Sequence, residues 1–282
     1  MDLFRKPIGL GIVDIVPGAC SDKLLALYAD HSRMLLVDSG GSLRLDFMEF
    51  SCAGDELFFI RAGQHLQLGS QSRAVMLYYD DGRYLSQVSE NYRSWKGILF
   101  NGELERPCIA LWEDARRTIV SYFGEIRKEI ENPWSGGQAM AGLLIRQLIV
   151  TSMRLSESPR SGLEICYGPG CELFRHFHGL VDEHFRTLHA AVDYARLCKV
   201  TTMTLNKKIF KYCKKSPSDL IYNRIILEAK RMLVQSEMDI QEIARALGYE
   251  DCSRFIGFFV KHAGVQPEDF RKDHGLGLTA VA

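Results

Sequence analysis

The sequence lacks the long apolar runs and the cysteine density that mark membrane-spanning or disulfide-rich proteins. Within its 282 residues, no segment approaches the roughly 18 uncharged apolar residues that a membrane helix needs. The first residues, MDLFRKPIGLGIVDIVPG, do not have the basic-then-apolar layout of a signal peptide. Eight cysteines are too few for a disulfide scaffold, and 46% apolar residues are too many for a disordered chain. We therefore expect a cytoplasmic protein with reduced thiols and one large or two ordinary domains.

Net charge is also absent, since 35 basic side chains balance 35 acidic ones, but the charges are unevenly distributed. Residues 1–170 hold 18 basic and 21 acidic side chains, whereas residues 171–275 hold 17 and 14. Six lysines lie within residues 199–215, and no acidic residue lies between Asp193 and Asp219. Such a local basic stripe attracts phosphates.

The first hundred residues show short apolar segments separated by Gly, Ser or Asp. The segments are MLLVD (34–38), SLRLDFMEF (42–50), ELFFI (56–60), QHLQLG (64–69) and AVMLYYD (74–80). Many short strands at a spacing of about ten residues are typical of an antiparallel barrel or sandwich. We predict a small β-barrel with a ligand-sized interior.

Helical periodicity begins at Glu113. One apolar stripe comprises Ile119, Phe123, Ile126 and Ile130, and a second comprises Leu143, Leu144, Leu148 and Val150. The two predicted helices either cover the barrel or pair with a second copy of themselves, and the sequence does not choose between these arrangements. Residues 156–170 are rich in Ser, Pro and Gly, which predicts a linker after a first domain of residues 1–155.

The remaining residues, 171–282, read as an all-α domain with about seven short helices. The predicted helices cover residues 171–186, 190–198, 202–213, 218–235, 240–247, 252–263 and 267–273. Together with the first domain, this pattern predicts an α+β multidomain protein.

Two segments of the helical domain repeat one design. A short helix with a central alanine, AVDYARLCKV (191–200), leads into TTMTLNKKIFKYC (201–213), and IQEIARALGY (240–249) leads into EDCSRFIGFFVKHAG (250–264). Each copy places apolar residues at i, i+3 and i+4. This is the layout of a helix-turn-helix motif, whose second helix enters the major groove of DNA.

The predicted helix between the two copies has a length that suits a paired reader of DNA. Its 17 residues, 219–235, span about 26 Å at a rise of roughly 1.5 Å per residue. With the bulk of the flanking motifs added, two recognition helices could lie about 34 Å apart, which is one turn of B-DNA.

The helical half resembles the AraC/XylS family of bacterial transcription regulators over residues 171–273. The most specific features are DIQEIARALGYEDCSRF (239–255) and HAGVQPEDFR (262–271), with Ala195, Thr201, Leu205, Ser216 and Pro217 at family positions in the first copy. The strand-rich half resembles, more weakly, the cupin-like domain common in this family. The resemblance implies that the first domain binds an effector or mediates dimerisation, and that the second binds promoter DNA.

The resemblance also carries over the side chains that would contact DNA. They are Thr202, Met203, Asn206, Lys207, Lys208 and Lys211 in the first copy, and Cys252, Ser253, Arg254, Gly257 and Lys261 in the second. Asn206 is the best direct reader, because its amide can bond bidentately to adenine. The second copy departs from the family, since Gly257 and Val260 stand where long polar or basic residues are common, and it should therefore read fewer bases.

Other residues of the two copies have structural roles in this interpretation. Leu205, Ile209, Phe255 and Phe259 are expected in the core, and Thr201 at a helix N-cap. Ser216 or Ser218 should cap the connecting helix. Lys214 replaces a frequent turn glycine, which predicts a strained turn unless the helix ends differently.

A ligand of the first domain would sit inside the barrel. The lining residues would be Phe59, Arg61, His65, Leu77 and Tyr79, with Arg61, His65 and Tyr79 the binding candidates. Arg61 and His65 would suit an anionic group, although a structural role for both is an equal alternative. A catalytic cupin metal site is not expected, because this half has only His31 and His65.

Two rival constellations remain in the second half. Cys166, Cys171, His176 and His178 have ligand types that suit zinc, but the two histidines lie about 200° apart around a predicted helix and do not face one point. An alkyl-accepting repair cysteine needs an activated thiolate, and no cysteine has a recognisable activating context. We expect no metal, no cofactor and no enzymatic activity.

The resulting hypothesis is a one-component transcription activator or repressor. Its expected partners are double-stranded promoter DNA, RNA polymerase, a second copy in a homodimer, and either a small-molecule effector or a protein partner, with no membrane. One alternative is a first domain that responds only to a protein partner or serves only in dimerisation. The alternative from another class is a barrel-type ligand sensor or enzyme with an auxiliary helical domain.

The unequal recognition helices generate a prediction. The double substitution Asn206→Ala and Lys207→Ala should cause a larger loss of promoter selectivity than Ser253→Ala does, because the first helix carries the base-reading amide and the cations. Footprinting of each variant on the same promoter measures this difference. Equal losses would contradict the asymmetry.

Overall fold

The computed structural model describes residues 9–18, 25–84, 99–100, 106–132, 135–162 and 172–274. The chain divides into two compact units, Met1–Ile165 and Cys166–Ala282, and this division falls within the predicted linker of residues 156–170. Most of that segment, including Cys166 and Cys171, lies outside the described residues. Among the helices of the described part, none is both long and apolar enough to cross a membrane.

The first unit contains eight described strands and three described α-helices. The strands are β1 (Leu10–Ile15), β2 (Ser32–Val37), β3 (Ser42–Leu45), β4 (Met48–Ser51), β5 (Glu56–Ile60), β6 (Leu66–Leu68), β7 (Ala74–Tyr79) and β8 (Cys108–Ala110). The helices are α1 (Asp81–Tyr84), α2 (Glu113–Glu131) and α3 (Gly137–Ser156), and a 3-10 turn follows at Pro159–Ser161.

These strands form two antiparallel sheets instead of the predicted closed barrel. One sheet has the order β1-β7-β2-β5-β8 and the other the order β4-β3-β6. A shared core contains Leu35, Phe58 and Met76 from the larger sheet and Leu43 and Leu66 from the smaller one. Every residue of β2 and of β5 is buried, as expected for central strands covered on both faces.

The segment 42–50, predicted as one strand, is a hairpin of β3 and β4. Leu45 pairs with Met48, which leaves Asp46 and Phe47 as the turn. Asp46 adopts a positive φ of 53°, a conformation that Asp tolerates better than most residues. Its carboxylate accepts hydrogen bonds from the His65 backbone N–H at 2.9 Å and the Gln64 amide at 3.1 Å, which hold the turn against the loop before β6.

The helices α2 and α3 pack against each other and against the larger sheet, α2 on β1 and α3 on β8. The predicted stripe of α2 is confirmed for Ile119, Phe123 and Ile126, but Ile130 near the end of the helix is exposed. In α3 the predicted stripe is wrong in part: Leu148 is buried as expected, but Leu143 is 53% exposed, and Ile145 and Ile149, which the stripe left out, are buried. Apolar side chains surround much of α3, and periodicity alone therefore did not identify its inner face.

The second unit is helical throughout the described range 172–274. Its helices are α4 (Glu172–His184), α5 (Ala191–Leu197), α6 (Thr202–Cys213), α7 (Pro217–Gln235), α8 (Ile240–Ala246), α9 (Cys252–Ala263) and α10 (Pro267–His274). The connecting helix α7 begins with a capping box, in which the Ser216 hydroxyl accepts from the Asp219 backbone N–H at 3.2 Å. This confirms Ser216 as the cap, and the cap satisfies amides that the first turn leaves without partners.

A buried network of charges fixes α7 against the rest of the unit. The Glu228 carboxylate accepts from Arg186 at 2.7 Å and from Arg224 at 3.0 Å, and Arg231 lies 3.6 Å away. Arg224 also donates to Asp182 of α4 at 3.2 Å. Burial alone would raise the pKa of Glu228, but the charge of Arg224 and the hydrogen bonds from Arg186 and Arg224 outweigh it, and the pKa is lowered.

Removing the charge at the centre of this network should destabilise the unit. We expect Glu228→Gln to lower the free energy of unfolding at pH 7 by about 2 kcal/mol, because buried guanidinium groups lose their counter-charge. Since the folded pKa of Glu228 is lowered, its stabilisation is complete above the unfolded pKa of about 4.3 and is lost as the pH falls through the folded value. Urea unfolding at several pH values measures both effects.

The control for this prediction is Glu183→Gln on α4, whose side chain is 69% exposed. This exposed glutamate should change the free energy of unfolding by less than about 0.5 kcal/mol. Equal destabilisation by the two substitutions, or a Glu228→Gln effect that stays constant from neutral to acidic pH, would contradict the role of the network.

A second prediction concerns the residues that end the two equivalent helices α6 and α9. Lys214 and Gly264 both have positive φ, 57° and 80°, which costs a non-glycine residue roughly 1 kcal/mol. We expect Lys214→Gly to raise the free energy of unfolding by about 0.5–1 kcal/mol. Gly264→Ala should lower it by about 1 kcal/mol, although a Cβ there meets nothing within 4 Å. Denaturant midpoints test both, and opposite signs from those expected would reject backbone strain as the cause.

Candidate nucleic-acid interface

The first helix-turn-helix module consists of α5, a short turn and α6. Its core contains Tyr194 and Ala195 of α5, and Leu205 and Ile209 of α6, each at most 2% exposed. The Thr201 hydroxyl accepts from the Thr204 backbone N–H at 3.1 Å, which confirms the predicted N-cap. Burial of one face of α6 leaves the opposite face to the solvent.

The second module, built from α8, a turn and α9, repeats this construction. Ile243, Ala244, Phe255 and Phe259 are at most 1% exposed, and all four predicted core positions of the two recognition helices are therefore confirmed. Asp251 caps α9 by accepting from the Ser253 backbone N–H at 2.8 Å.

The repeat extends to the backbone at the module turns and helix ends. Lys199 and Gly248, which begin the two turns, both have positive φ, 54° and 81°, and so do Lys214 and Gly264 at the ends of α6 and α9. The predicted strain at Lys214 is thus present. Glycine adopts this conformation without steric cost. The second module therefore has no backbone strain at these two positions, whereas the first module has a strained lysine at each.

The exposed face of α6 carries lysines beside an exposed methionine. Met203 is 80% exposed. Of the other predicted contact residues on α6, Asn206, Lys207, Lys208 and Lys211 are exposed and Thr202 is half-buried. The structure therefore places these residues on a single helix, with five on its solvent side.

The exposed face of α9 is less basic. Ser253, Arg254, Gly257 and Lys261 are exposed, whereas Cys252 is half-buried. From α5 to the proline after α6, residues 191–217 hold seven basic and one acidic side chain, but the matching residues 240–267 hold three of each. Phosphate attraction is therefore concentrated on the first module.

The connecting helix α7 has 19 residues, two more than predicted, and is about 28 Å long at roughly 1.5 Å per residue. Both modules pack on it, since α7 contacts α5 and α6 as well as α8, α9 and α10. The two recognition helices are therefore both attached to one continuous helix, α7.

One exposed residue of the recognition face was not predicted. Phe210 of α6 is 57% exposed and lies three residues after Lys207 and seven after Met203, which places it on the same side of the helix. The spacing of Phe210 from Met203 and Lys207 could have placed it on the exposed face. In the sequence, however, Phe210 directly follows the core residue Ile209 and therefore resembles a core residue itself.

The predicted ligand residues of the first unit do not line a common interior. Phe59, Leu77 and Tyr79 are at most 1% exposed, but they alternate with Phe58 and Met76, which form the core between the sheets. Alternate residues of a strand point to opposite faces, and the three side chains therefore lie on the far face of the larger sheet.

The two polar candidates are held by other contacts. The Arg61 guanidinium donates to the Phe100 carbonyl oxygen at 3.0 Å, and the backbone of His65 pairs with Asp46 in the hairpin turn of the smaller sheet. These contacts connect Arg61 to the segment at Phe100 and the His65 backbone to the hairpin turn, and ligand binding by Arg61, His65 and Tyr79 stays a prediction.

The rival metal and thiol sites gain no support within the described residues. His176 is exposed and His178 is buried, and no group of three or more His, Cys, Asp or Glu in the described residues could hold a metal ion. Burial raises the pKa of Cys198 to about 11, and burial, assisted by Glu56, raises that of Cys52 to about 11. These two thiols are thereby poor nucleophiles at neutral pH.

Comparison with known proteins matches the helical unit. Residues 194–273 match the family model described as a helix-turn-helix domain. The uncharacterized HTH-type transcriptional regulator YdiP of Escherichia coli (strain K12) is 35% identical over 57 residues, which are 20% of this chain and 19% of that protein. The match thus spans about one fifth of the curated relative.

Two solved structures are similar to this chain over different shares of its length. The C-terminal domain of AraT, a response regulator from Geobacillus stearothermophilus, is 23% identical and has a TM-score of 0.37, with 39% of this chain and 92% of that chain covered. ToxT from Vibrio cholerae O395 is 14% identical and has a TM-score of 0.45, with 97% and 98% covered. The matching family model and the repeated modules built on α5–α6 and α8–α9 place the C-terminal part of this chain among the AraC-type helix-turn-helix domains.

Proposed function

We propose that this protein is a sequence-specific DNA-binding transcription regulator that enters two successive major grooves with α6 and α9. The observation that carries the proposal is the exposed face of α6, which presents Asn206, Lys207 and Met203 to the solvent while Leu205 and Ile209 anchor the opposite face. A stable helix with a polar, cationic outer face is the element that the major groove accepts.

Affinity in this proposal comes mainly from the lysines of the first module. Each phosphate that a lysine neutralises releases condensed counterions, so that binding weakens steeply as salt increases. Lys207, Lys208 and Lys211 are exposed on α6, and Lys214 and Lys215 follow at its end. These contacts fix the position of the protein on the duplex and carry no sequence information themselves.

Sequence preference comes from fewer side chains. The Asn206 amide can form a bidentate pair with one adenine. Its N–H₂ group donates to N7, and its carbonyl oxygen accepts from the N6 amino group. Met203, at 80% exposure, offers an apolar contact to a thymine methyl group. On α9, Ser253 and Arg254 are the corresponding candidates, which suits a weaker second half-site.

The first unit would regulate this binding through an effector or a protein partner, and would also form a homodimer. The helix pair α2–α3 supports dimerisation, because it covers the larger sheet yet exposes Val120, Met140 and Leu143 at 41%, 47% and 53%. Exposed apolar side chains of this size on neighbouring helices are typical of interfaces. Regulation at a promoter further implies RNA polymerase as a partner.

The proposal is tested by salt-dependent binding to duplexes selected from random DNA with the full chain. We expect Lys211→Gln to weaken binding about equally for all sequences and to reduce the salt slope by about 1, whereas Asn206→Ala should relax the preference at one base pair by about 1–3 kcal/mol. Fluorescence anisotropy at several salt concentrations measures both.

The matched control is Lys272→Gln, since Lys272 is an exposed lysine on α10 that pairs with Asp269 at 3.9 Å, outside the proposed contact face. It should leave the affinity and the salt slope unchanged. Binding that is insensitive to salt, or no enrichment of any duplex, would reject the proposed function.

A further inference from the structure

The loop before the first module, the connecting helix α7 and the second module meet at a cluster of five aromatic rings, which we call the inter-module cluster. His189 precedes α5, Tyr222 lies on α7, and Tyr249, Phe258 and His262 belong to the second module. Ring centroids are 4.8 Å apart for His189–Tyr249, 5.6 Å for Tyr249–Phe258, 5.7 Å for Tyr222–Phe258 and 4.6 Å for Phe258–His262. The rings thus form a continuous contact from the loop before α5 to the second recognition helix and the connecting helix.

The backbone of the second turn also packs directly on the loop of residues 185–190 that precedes α5. At Gly248, a Cβ atom would overlap the Arg186 carbonyl oxygen and would lie 3.4 Å from Nε2 of His189. The turn can approach this closely because glycine has no side chain, and its positive φ of 81° suits the same residue. The loop and the turn are therefore in contact without intervening side chains.

The same loop is tied to the connecting helix from its other side. The Arg186 side chain donates to Glu228 of α7 at 2.7 Å, and the Arg224 guanidinium lies 3.9 Å from the centre of the Phe185 ring. Residues 185–190 consequently contact both α7 and the second module, and this attachment adds to the packing of α8, α9 and α10 on α7.

Comparison of the two repeats shows that the cluster uses aromatic residues that only the second module has. The position of Phe258 on α9 corresponds to Lys208 on α6, and Lys208 is exposed whereas Phe258 is half-buried. Likewise, Tyr249 follows Gly248 where Val200 follows Lys199 in the first module. Both positions are aromatic in the second module, and neither is aromatic in the first.

We propose that the inter-module cluster sets the separation and rotation of the two recognition helices, and thereby the spacing between half-sites that the protein accepts. The inference rests on the proposed DNA-binding function. His189 and Tyr249 are positioning residues here, since they act through the placement of α9. With the cluster intact, the second module does not pivot about residues 236–239, and only one half-site spacing allows both helices to bind.

One inserted base pair is a sensitive probe of this restraint. It shifts the second groove by about 3.4 Å and rotates it by about 34°. A rigid pair of modules loses the second contact, whereas a pair that can pivot recovers part of it. The discriminating quantity is therefore the ratio of affinities for two spacings, which a general loss of stability does not change.

The experiment uses the full chain and duplexes that carry its two selected half-sites at the best spacing and with one base pair inserted or deleted. Wild type should lose at least about tenfold in affinity on either change. His189→Ala and Tyr249→Leu should lose less than about threefold, while Tyr249→Phe, which keeps the ring, should behave as wild type. Val192→Ala, at an exposed position of α5, is the matched control and should also behave as wild type.

Thermal unfolding establishes which variants are folded. If only one of His189→Ala and Tyr249→Leu is folded, the ratio of affinities for the two spacings is measured on that variant. A wild-type spacing ratio in a folded His189→Ala or Tyr249→Leu variant would overturn the inference, as would a wild type that accepts all three spacings equally. In both of those cases the protein still binds DNA, and the proposed function stands. If wild type binds no duplex in a salt-dependent manner, the proposed function fails and the inference with it.

Discussion

The burial of two equivalent pairs of side chains determines which surfaces of the helical unit remain for DNA. Leu205 and Ile209 on α6, and Phe255 and Phe259 on α9, are fully buried. Each pair fixes the rotation of its helix about its own axis, because the side chains are one helical turn apart on a single face. The outward direction of Lys207 and Arg254 follows from that burial.

The two modules share a backbone design, and in the proposed function they divide their tasks. The first carries the lysines and accepts positive φ at Lys199 and Lys214, where the second has glycines. The second has as many acidic as basic side chains in residues 240–267, so it gains little from phosphates. Its contribution to a double site depends instead on being held at the right place, which is the role that packing on α7 and on the loop before α5 would serve.

Local patterns in the sequence predicted the parts of the structure that local forces determine. The bounds of α6 and α9 agree with the predicted ones, and Thr201 and Ser216 cap helices as expected, since capping and apolar periodicity act within a few residues. The pairing of strands was less accessible, because the register that turns residues 42–50 into a hairpin depends on distant partners such as Leu66. The contact of His189 with Tyr249 joins residues 60 positions apart, and no spacing rule anticipates it.

The central claim is that α6 and α9 occupy two successive major grooves on one face of a duplex. Methylation interference on a selected duplex tests it most directly, because guanine N7 lies in the major groove and adenine N3 in the minor groove. The account predicts interference at guanine N7 in two clusters about 10 base pairs apart. Interference at adenine N3 alone, or a single cluster at guanine N7, would contradict it.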